Sequence, residues 1–432
     1  MRINWFSPLP QKKTDIANYT QRIIPYLQSK ANVTLWTNQQ EWSKEIEKYA
    51  SVKQYKLEEM PWFELNQGDV NIYHIGNNAS FHGEIWHISR QFPSIVILHD
   101  EKLQDFFYML NSDKNNYIQQ MKDTYGQEGG ENARLFLNGH YSMEFMAENY
   151  PLTPLVLENA LGVISHNRNV YLSLSQENKW LTAYTPLPYV NNEFISDNNE
   201  QNQEKPYKLI IFGFIGKNRR LDAILQALSE FKQKDSFRLN IYGQLWDEKY
   251  VKKQIEILGL EKLVTIHGFV SHKELDLALS NSHLGINLRY PTMGEASGSQ
   301  LRLWSHGLPS LVTKIGWYGN LNPSAVAFVR HDHEIKDIHQ HLQNFLDNPQ
   351  EYKNKGIEGK KILETDHHPQ LYAQAIVDFA TQVCQYRCQS SINRIIKRVS
   401  SELNYLNPNL LSNSSLDNVS EAIKFITFNQ KK

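Results

Sequence analysis

Two doubly wound α/β domains facing each other across a cleft, followed by a helical tail, are the architecture this sequence predicts. Short apolar runs alternate with amphipathic segments, a polar stretch interrupts them near the middle, and the alternation then restarts. At 432 residues the chain can hold two domains with separate cores. The expected division is a first domain over 1–190, a linker over 191–206, a second domain over 207–385 and a helical extension over 386–432.

In the first half, Arg2–Phe6, Asn32–Trp36, Val70–Ile75, Ser94–Leu98 and Leu161–Ser165 are mostly continuous apolar runs, as a parallel sheet covered on both faces requires. Between them, Asp15–Lys30 gathers Ile16, Tyr19, Ile23, Ile24 and Leu27 on one side, and Ser80–Phe92 gathers Phe81, Ile85, Trp86 and Ile88. Asn191–Pro206 is polar and reads as the linker. Beyond it, strands Leu209–Gly213, Arg238–Tyr242 and Val264–His267 alternate with helices Leu221–Phe231, Glu248–Leu258 and Lys273–Ser280. The apolar run Leu284–Leu288 leads into Arg289–Val312, a strand end, a small-residue loop, a helix ended by Gly307 and Pro309, and a further strand. After Asp332 the spacing is helical in Ile338–Leu346 and Leu371–Val383, and Ser390–Lys432 carries two amphipathic segments.

Composition narrows the function classes. Lys plus Arg (45) balances Asp plus Glu (46), so no global field favours nucleic acid or an acidic membrane. Cys384 and Cys388 are too few for a disulfide framework or a Cys-rich zinc site, and a reducing cytoplasm is the expected compartment. No window approaches the ~20 apolar residues of a membrane-spanning helix. The basic segment Asn393–Arg398 reads as a solvated helix face, with a peripheral membrane or protein-partner contact through the tail as the alternative.

Ligands of doubly wound domains bind beyond the carboxyl ends of the strands. In the first half those loops carry Thr14 and Asp15, then Asn77 and Asn78, then His99 and Asp100. His99 can bond a ligand hydroxyl or move a proton, or else cap a strand end; Asn77 and Asn78 are turn residues or ligands. In the second half Lys217, Arg219 and Arg220 suit a diphosphate or form a solvated basic loop. Ser297-Gly298-Ser299 opens a helix whose unpaired N–H groups suit phosphate oxygens, while Ser297 or Ser299 serves equally as an N-cap. His331-Asp332-His333 and Asp366-His367-His368 lack a closed ligand set, and Phe106-Phe107-Tyr108 reads as core.

In combination these motifs resemble the GT-B glycosyltransferases, and within them family 4 of the retaining, nucleotide-sugar-dependent enzymes, over Arg2–Cys384. Ser7-Pro-Leu-Pro with Ile16-Ala-Asn-Tyr19 resembles the family's first loop and helix, and Phe212-Gly213 with Asn218-Arg-Arg-Leu-Asp222 its donor loop. Tyr73-His-Ile-Gly-Asn-Asn78, Phe81-His82, Ile97-Leu-His-Asp100 and Leu288–Gly298 resemble the bacterial branch that builds polysaccharides and related glycans.

The resemblance implies roles at matching positions. Glu295 would bond donor-sugar hydroxyls, Ser297, Gly298 and Ser299 would receive the diphosphate, and Arg219, with Gly213 and Lys217, would contact it. Gly268, Phe269 and Val270 would face the nucleobase, and His99 the donor sugar. Glu295, His99 and Arg219 form the implied catalytic set, with Thr14, Asp15, Asn77, Asn78 and Asp100 on the acceptor side. The co-substrate would be a UDP-, GDP- or dTDP-sugar, the acceptor a carbohydrate, a lipid-linked glycan or a small molecule, and no metal or other cofactor is expected. The chain departs from the family at Thr14-Asp15, where Ser/Thr-Gly is usual, at Gln104, usually His, and at Arg302, which would take the donor-binding place of the second glutamate that usually holds the ribose. A catalytically weak subunit supporting a partner enzyme, or a nucleotide-sugar epimerase, would share the same motifs.

Overall fold

The computed structural model describes residues 1–12, 14–190, 205–405 and 421, with the side chains of 388–405 outside the description. Most of the expected linker (191–204), the side chains of Cys388 and of the basic segment 393–398, and the tail past Tyr405 apart from Glu421 therefore lie outside the described residues. Met1–Ala375 form one compact unit, and the chain from Ile376 belongs to a second. The helix Pro369–Tyr405 runs through the expected boundary at 385. Among the described residues no helix is long and apolar enough to cross a membrane.

The first sheet contains β1 (Arg2–Phe6), β2 (Asn32–Thr37), β3 (Ser51–Gln54), β4 (Val70–Ile75), β5 (Ile95–Leu98), β6 (Gly162–Ser165) and β7 (Leu181–Tyr184), in the order β3-β2-β1-β4-β5-β6-β7. The second contains β8 (Tyr207–Ile215), β9 (Phe237–Leu245), β10 (Val264–Gly268), β11 (Leu284–Asn287), β12 (Ser310–Thr313) and β13 (Ala327–Val329), in the order β10-β9-β8-β11-β12-β13. Every pairing is parallel. In each sheet the chain leaves the first strand in one direction and later resumes on its other side. The loops after β1 and β4, and those after β8 and β11, therefore part around a crevice.

The central strands follow from composition. β5, β6, β11 and β12 are buried at every position, and helices cover both faces. The first core includes Trp36, Trp86, Phe106 and Phe107, with Phe106 and Phe107 fully buried as core spacing requires. The second core is aliphatic around Leu225, Ile241 and Leu311. Each such side chain contributes roughly 1.5–3 kcal/mol on burial.

The edge strands β3 and β7 have no fully buried residue, so no apolar run announces them. Helices Gln104–Leu110, Lys114–Leu137, Met143–Asn149 and Thr153–Leu157 form the connection in the chain between the neighbouring strands β5 and β6. Two expected strand ends are corrected: β8 continues past Gly213 and β9 past Tyr242. Gly213 and Gly243 are partners with φ of +103° and +114°, and a Cβ on Gly243 would lie 2.0 Å from Gly213 O. The strands pass their glycines because no side chain stands between them.

Candidate functional site

At the second crevice, the helix Gly298–Ser305 begins where the loop after β11 ends. Ser297 is its N-cap: Oγ accepts from Gln300 N at 3.1 Å and faces Asn287 Nδ2 at 3.3 Å. The first-turn N–H groups lie beyond that cap, and a Cβ on Gly298 would meet nothing within 4 Å, so the helix start is open.

Arg219 ends the turn Lys217–Arg219 and is 2% exposed. Its Nη1 donates to Asn287 Oδ1 at 2.5 Å and Nη2 to Phe212 O at 2.7 Å, while Nε is buried without a partner. Burial, then the neighbouring Arg289, push its pKa down to about 10, which leaves it cationic at neutral pH. A Cβ on Gly213 would sit 3.7 Å from Arg219 Nη2 and 3.9 Å from Ser299 Oγ. A glycine, a guanidinium, a hydroxyl and an open helix start thus converge, which suits a polyphosphate.

Glu295 stands beside them. Its Oε2 accepts from Thr292 Oγ1 at 2.8 Å and Met293 N at 2.7 Å, and Oε1 lies 3.0 Å from Arg289 Nε. That ion pair is held by charge, since Arg289 Nε makes no aligned hydrogen bond. The loop carrying Glu295 docks on the first domain: Glu101 N and Lys102 N donate to Met293 O at 2.8 and 3.0 Å, and Asn167 Nδ2 donates to Gly294 O at 3.0 Å. Gly294 has φ +83°, and a Cβ there would come within 2.5 Å of Glu101 Cβ. The contact therefore needs glycine.

Docking brings Glu295 to Asp100. Burial, then the charge of Glu295, push the Asp100 carboxyl up to about 7, against a 2.7 Å hydrogen bond from Asn77 N. Beside it, half-buried His99 joins His74 and His166 around Tyr19, while His82 bonds the carbonyl of His74. Burial above all, with neighbouring imidazoles, lowers His74 and His99 well below the usual histidine value, and burial lowers His82 and His166 to about 4. All four rings are neutral near pH 7.

Other expected site residues have local duties. Thr14, not Asp15, caps the helix Asp15–Leu27, and Asp15 occupies its first turn, where its charge reaches Arg219 and His272. Asn77 bonds Asp105 and Phe106 N, and Asn78 caps the helix Ala79–Gln91. Lys217 is exposed with Nζ 4.7 Å from the Trp246 ring, while Arg220 is committed to Glu334. Arg302 donates to Asp276 Oδ1 from Nη2 and Nε, at 2.8 and 3.0 Å. Phe269 is 74% exposed, and the segment Gly268–Val270 turns through a glycine with φ +69°. Gln104 is buried, with Tyr117 Oη donating to its Oε1 at 2.6 Å.

Sequence reasoning gave no role to His74, His166, Arg289 or Tyr318. Six buried side-chain polar atoms lack an aligned hydrogen-bond partner among the described residues. All but Trp86 Nε1 belong to His74, His166, Arg219, Arg289 or Tyr318, around the two crevices. Unpaired buried polar groups are costly and collect where a ligand completes them. Arg289 and His74 lie within the motifs that carry the resemblance; Tyr318 has no local sequence signal.

Residues 192–362 match the family model described as glycosyl transferases group 1. No curated protein matches the chain by sequence. Among solved structures, HepE of Anabaena in complex with UDP and glucose superposes with TM-score 0.61 at 13% identity, covering 88% of this chain and 100% of that one. Sucrose-phosphate synthase of Thermosynechococcus elongatus gives TM-score 0.61 at 13% identity, covering 89% and 99%. The lipopolysaccharide outer core galactosyltransferase WaaB gives 0.53 at 12%, covering 88% and 99%. The fold is GT-B, and the residues that match the glycosyl transferases group 1 model lie in its second half.

Proposed function

We propose that this GT-B glycosyltransferase moves a hexose-type sugar from a nucleoside-diphosphate sugar to an acceptor hydroxyl, with retention at the anomeric carbon and without a bridging metal ion. The observation that carries this reading is the convergence of Gly213, Arg219 and Ser299 on the open start of the helix Gly298–Ser305. It is supported by the group 1 family match and by HepE, whose structures hold UDP-glucose or UDP and glucose.

In this reading Arg219, its buried Nε turned to the diphosphate, and the first helix N–H groups stabilise the charge that grows as the sugar–phosphate bond breaks. Glu295, oriented by Thr292 and Met293 N, accepts from donor-sugar hydroxyls. His99 and Asp100 line the first-domain wall, and Thr14, Asp15, Asn77 and Asn78 border the acceptor side. The acceptor hydroxyl attacks from the face the diphosphate leaves, and a departing phosphate oxygen takes its proton. A fixed cation and helix N–H groups do here what a divalent ion does in metal-bridged transferases.

A screen of UDP-, GDP- and dTDP-sugars by thermal shift tests the reading. A donor at 100 times its Kd stabilises the fold by about 2.7 kcal/mol, and no shift with any donor would sink it. With the donor found, the anomeric configuration of the product, measured with and without chelator, tests retention and metal independence. A second reading, a catalytically weak subunit that binds nucleotide sugar beside a partner enzyme, is favoured by Asp15, whose carboxylate acts on Arg219. Asp15→Gly separates them: a large rise in turnover supports the weak subunit, unchanged or lower turnover the working enzyme.

A further inference from the structure

The histidines of the first domain constrain one another's protons. His82 Nδ1 lies 2.8 Å from His74 O, and His166 Nδ1 lies 2.9 Å from Thr185 O. A carbonyl only accepts, so both rings carry their proton on Nδ1 and leave Nε2 as a bare lone pair. His166 Nε2 is buried and meets no donor.

His74 stands between these rings and His99. It is fully buried, its Nδ1 is 2.9 Å from His99 Nε2, and its own Nε2 has no partner. One proton is shared along that bond, and the ring that owns it decides what His99 offers on its other edge. If His74 Nδ1 donated, His74 Nε2 would become another buried lone pair. It would add to the one on His166, on a ring packed against those of Trp5 and Tyr19 with centroids 4.4 and 5.4 Å away. An aromatic face is negative and repels a lone pair, whereas an N–H finds a weak acceptor there. The proton therefore belongs on His74 Nε2, and His74 Nδ1 accepts from His99 Nε2–H.

We propose that His74 is a positioning residue that fixes His99 as its Nε2–H tautomer, so that His99 Nδ1 turns a lone pair to the cleft and accepts a hydrogen bond from a ligand hydroxyl. Of the four residues His99 alone is half-buried, and with its Nε2 engaged by His74, Nδ1 is the nitrogen left for a ligand. Burial keeps the ring neutral, so the lone pair is present at neutral pH. A hydroxyl satisfies this wall, whereas a carboxylate or phosphoryl oxygen, which can only accept, is repelled. The identity of the ligand rests on the proposed transfer; the tautomer does not.

Long-range nitrogen–proton correlation of the full chain labelled with ¹⁵N-histidine tests it without any ligand, His99 being assigned by the signals lost in His99→Gln. The expected spectrum has a pyrrole-type Nε2 and a pyridine-type Nδ1 for His99, and in His74→Phe, which removes the acceptor but keeps a ring, those signals move toward a tautomer average. A pyrrole-type Nδ1 in the wild type overturns the proposal, and this outcome is decisive even if His74→Phe does not fold. Titration with a nucleotide sugar and its deoxyfluoro analogues then reads the specificity: fluorine cannot donate, so one analogue should bind about 10-fold more weakly. Equal binding of all analogues overturns the hydroxyl assignment. No binding by any donor counts against the transfer reading instead, and the tautomer is then decided by the spectrum alone.

Discussion

The carboxyl edges of the two sheets share a strand order and differ in charge. At the second edge Arg219, buried, and Arg289, half-buried, stay cationic beside an open helix start. At the first, burial drives His74, His82, His99 and His166 to neutrality and pushes Asp100 up to about 7. The same crevice geometry thus yields a cationic corner on one side and a set of neutral imidazoles on the other. Topology places a site, and its chemistry comes from side chains whose charge is set by how deeply they are packed.

Removing the cation should break the comparison most severely. Arg219→Ala is expected to lower kcat/KM by roughly 100-fold or more, as losing one charge-stabilising group does, and to abolish the thermal shift with donor. It also strands Asn287 Oδ1 and Phe212 O, a stability cost of about 1–3 kcal/mol per unpaired group. Arg219→Lys should recover part of the rate, because it keeps charge but not the fork. Wild-type kinetics in Arg219→Ala would mean the cationic corner is not where the diphosphate sits.

Glu295 joins the two edges, so its replacement has the next largest effect. Glu295→Gln can keep the bonds from Thr292 and Met293 N yet loses the charge facing Arg289 and Asp100. Turnover should fall about 10- to 100-fold with little change in Tm. Glu295→Ala should lose turnover strongly as well, with a further loss of stability of about 1–3 kcal/mol from the polar groups it leaves unpaired. An active Glu295→Ala would remove Glu295 from the site.

A pH series sharpens the comparison at the neutral wall. The four histidines have depressed values, so the stability they contribute is present above pH 6.5 and is lost as pH falls toward about 4, where His82 and His166 titrate. Asp100 is raised, so its contribution is greatest below its ordinary 3.8 and is lost as pH rises to about 7. The histidines outnumber it, so Tm should fall between pH 7 and 5, and Asp100→Asn should make the fall steeper. A parallel pH profile for that variant would contradict the raised carboxyl.

The smallest effect belongs to Lys217. It is exposed over Trp246, and such a contact is worth about 0.5–1 kcal/mol. Lys217→Ala should raise KM only about 2- to 5-fold, and a loss like that of Arg219→Ala would move the anion site outward along the loop.

Much of this molecule was legible in its residues. The buried strands β5, β6, β11 and β12 are continuous apolar runs, and the motif around Glu295 pointed to the helix start that the structure leaves open. The edge strands β3 and β7, half-exposed and short, left no apolar signature. Arg219 was legible as a loop cation, but its depth was not, because burial depends on β11 presenting Asn287 from far along the chain. Arg302 shows the reverse: placed by motif at the donor, it is engaged by Asp276, a partner that spacing alone did not suggest.

By itself, then, the sequence determined two parallel α/β sheets and the residue types that border their carboxyl edges, because periodicity and turn chemistry act over a few residues at a time. Only the tertiary structure decided which of those residues are charged, which face one another across the domains, and which polar atoms are left without partners. Those properties depend on burial and on contacts between residues far apart in the chain. The imidazoles around Tyr19, drawn from the strand β4 and the loops after β5 and β6, come together only once the sheet has formed.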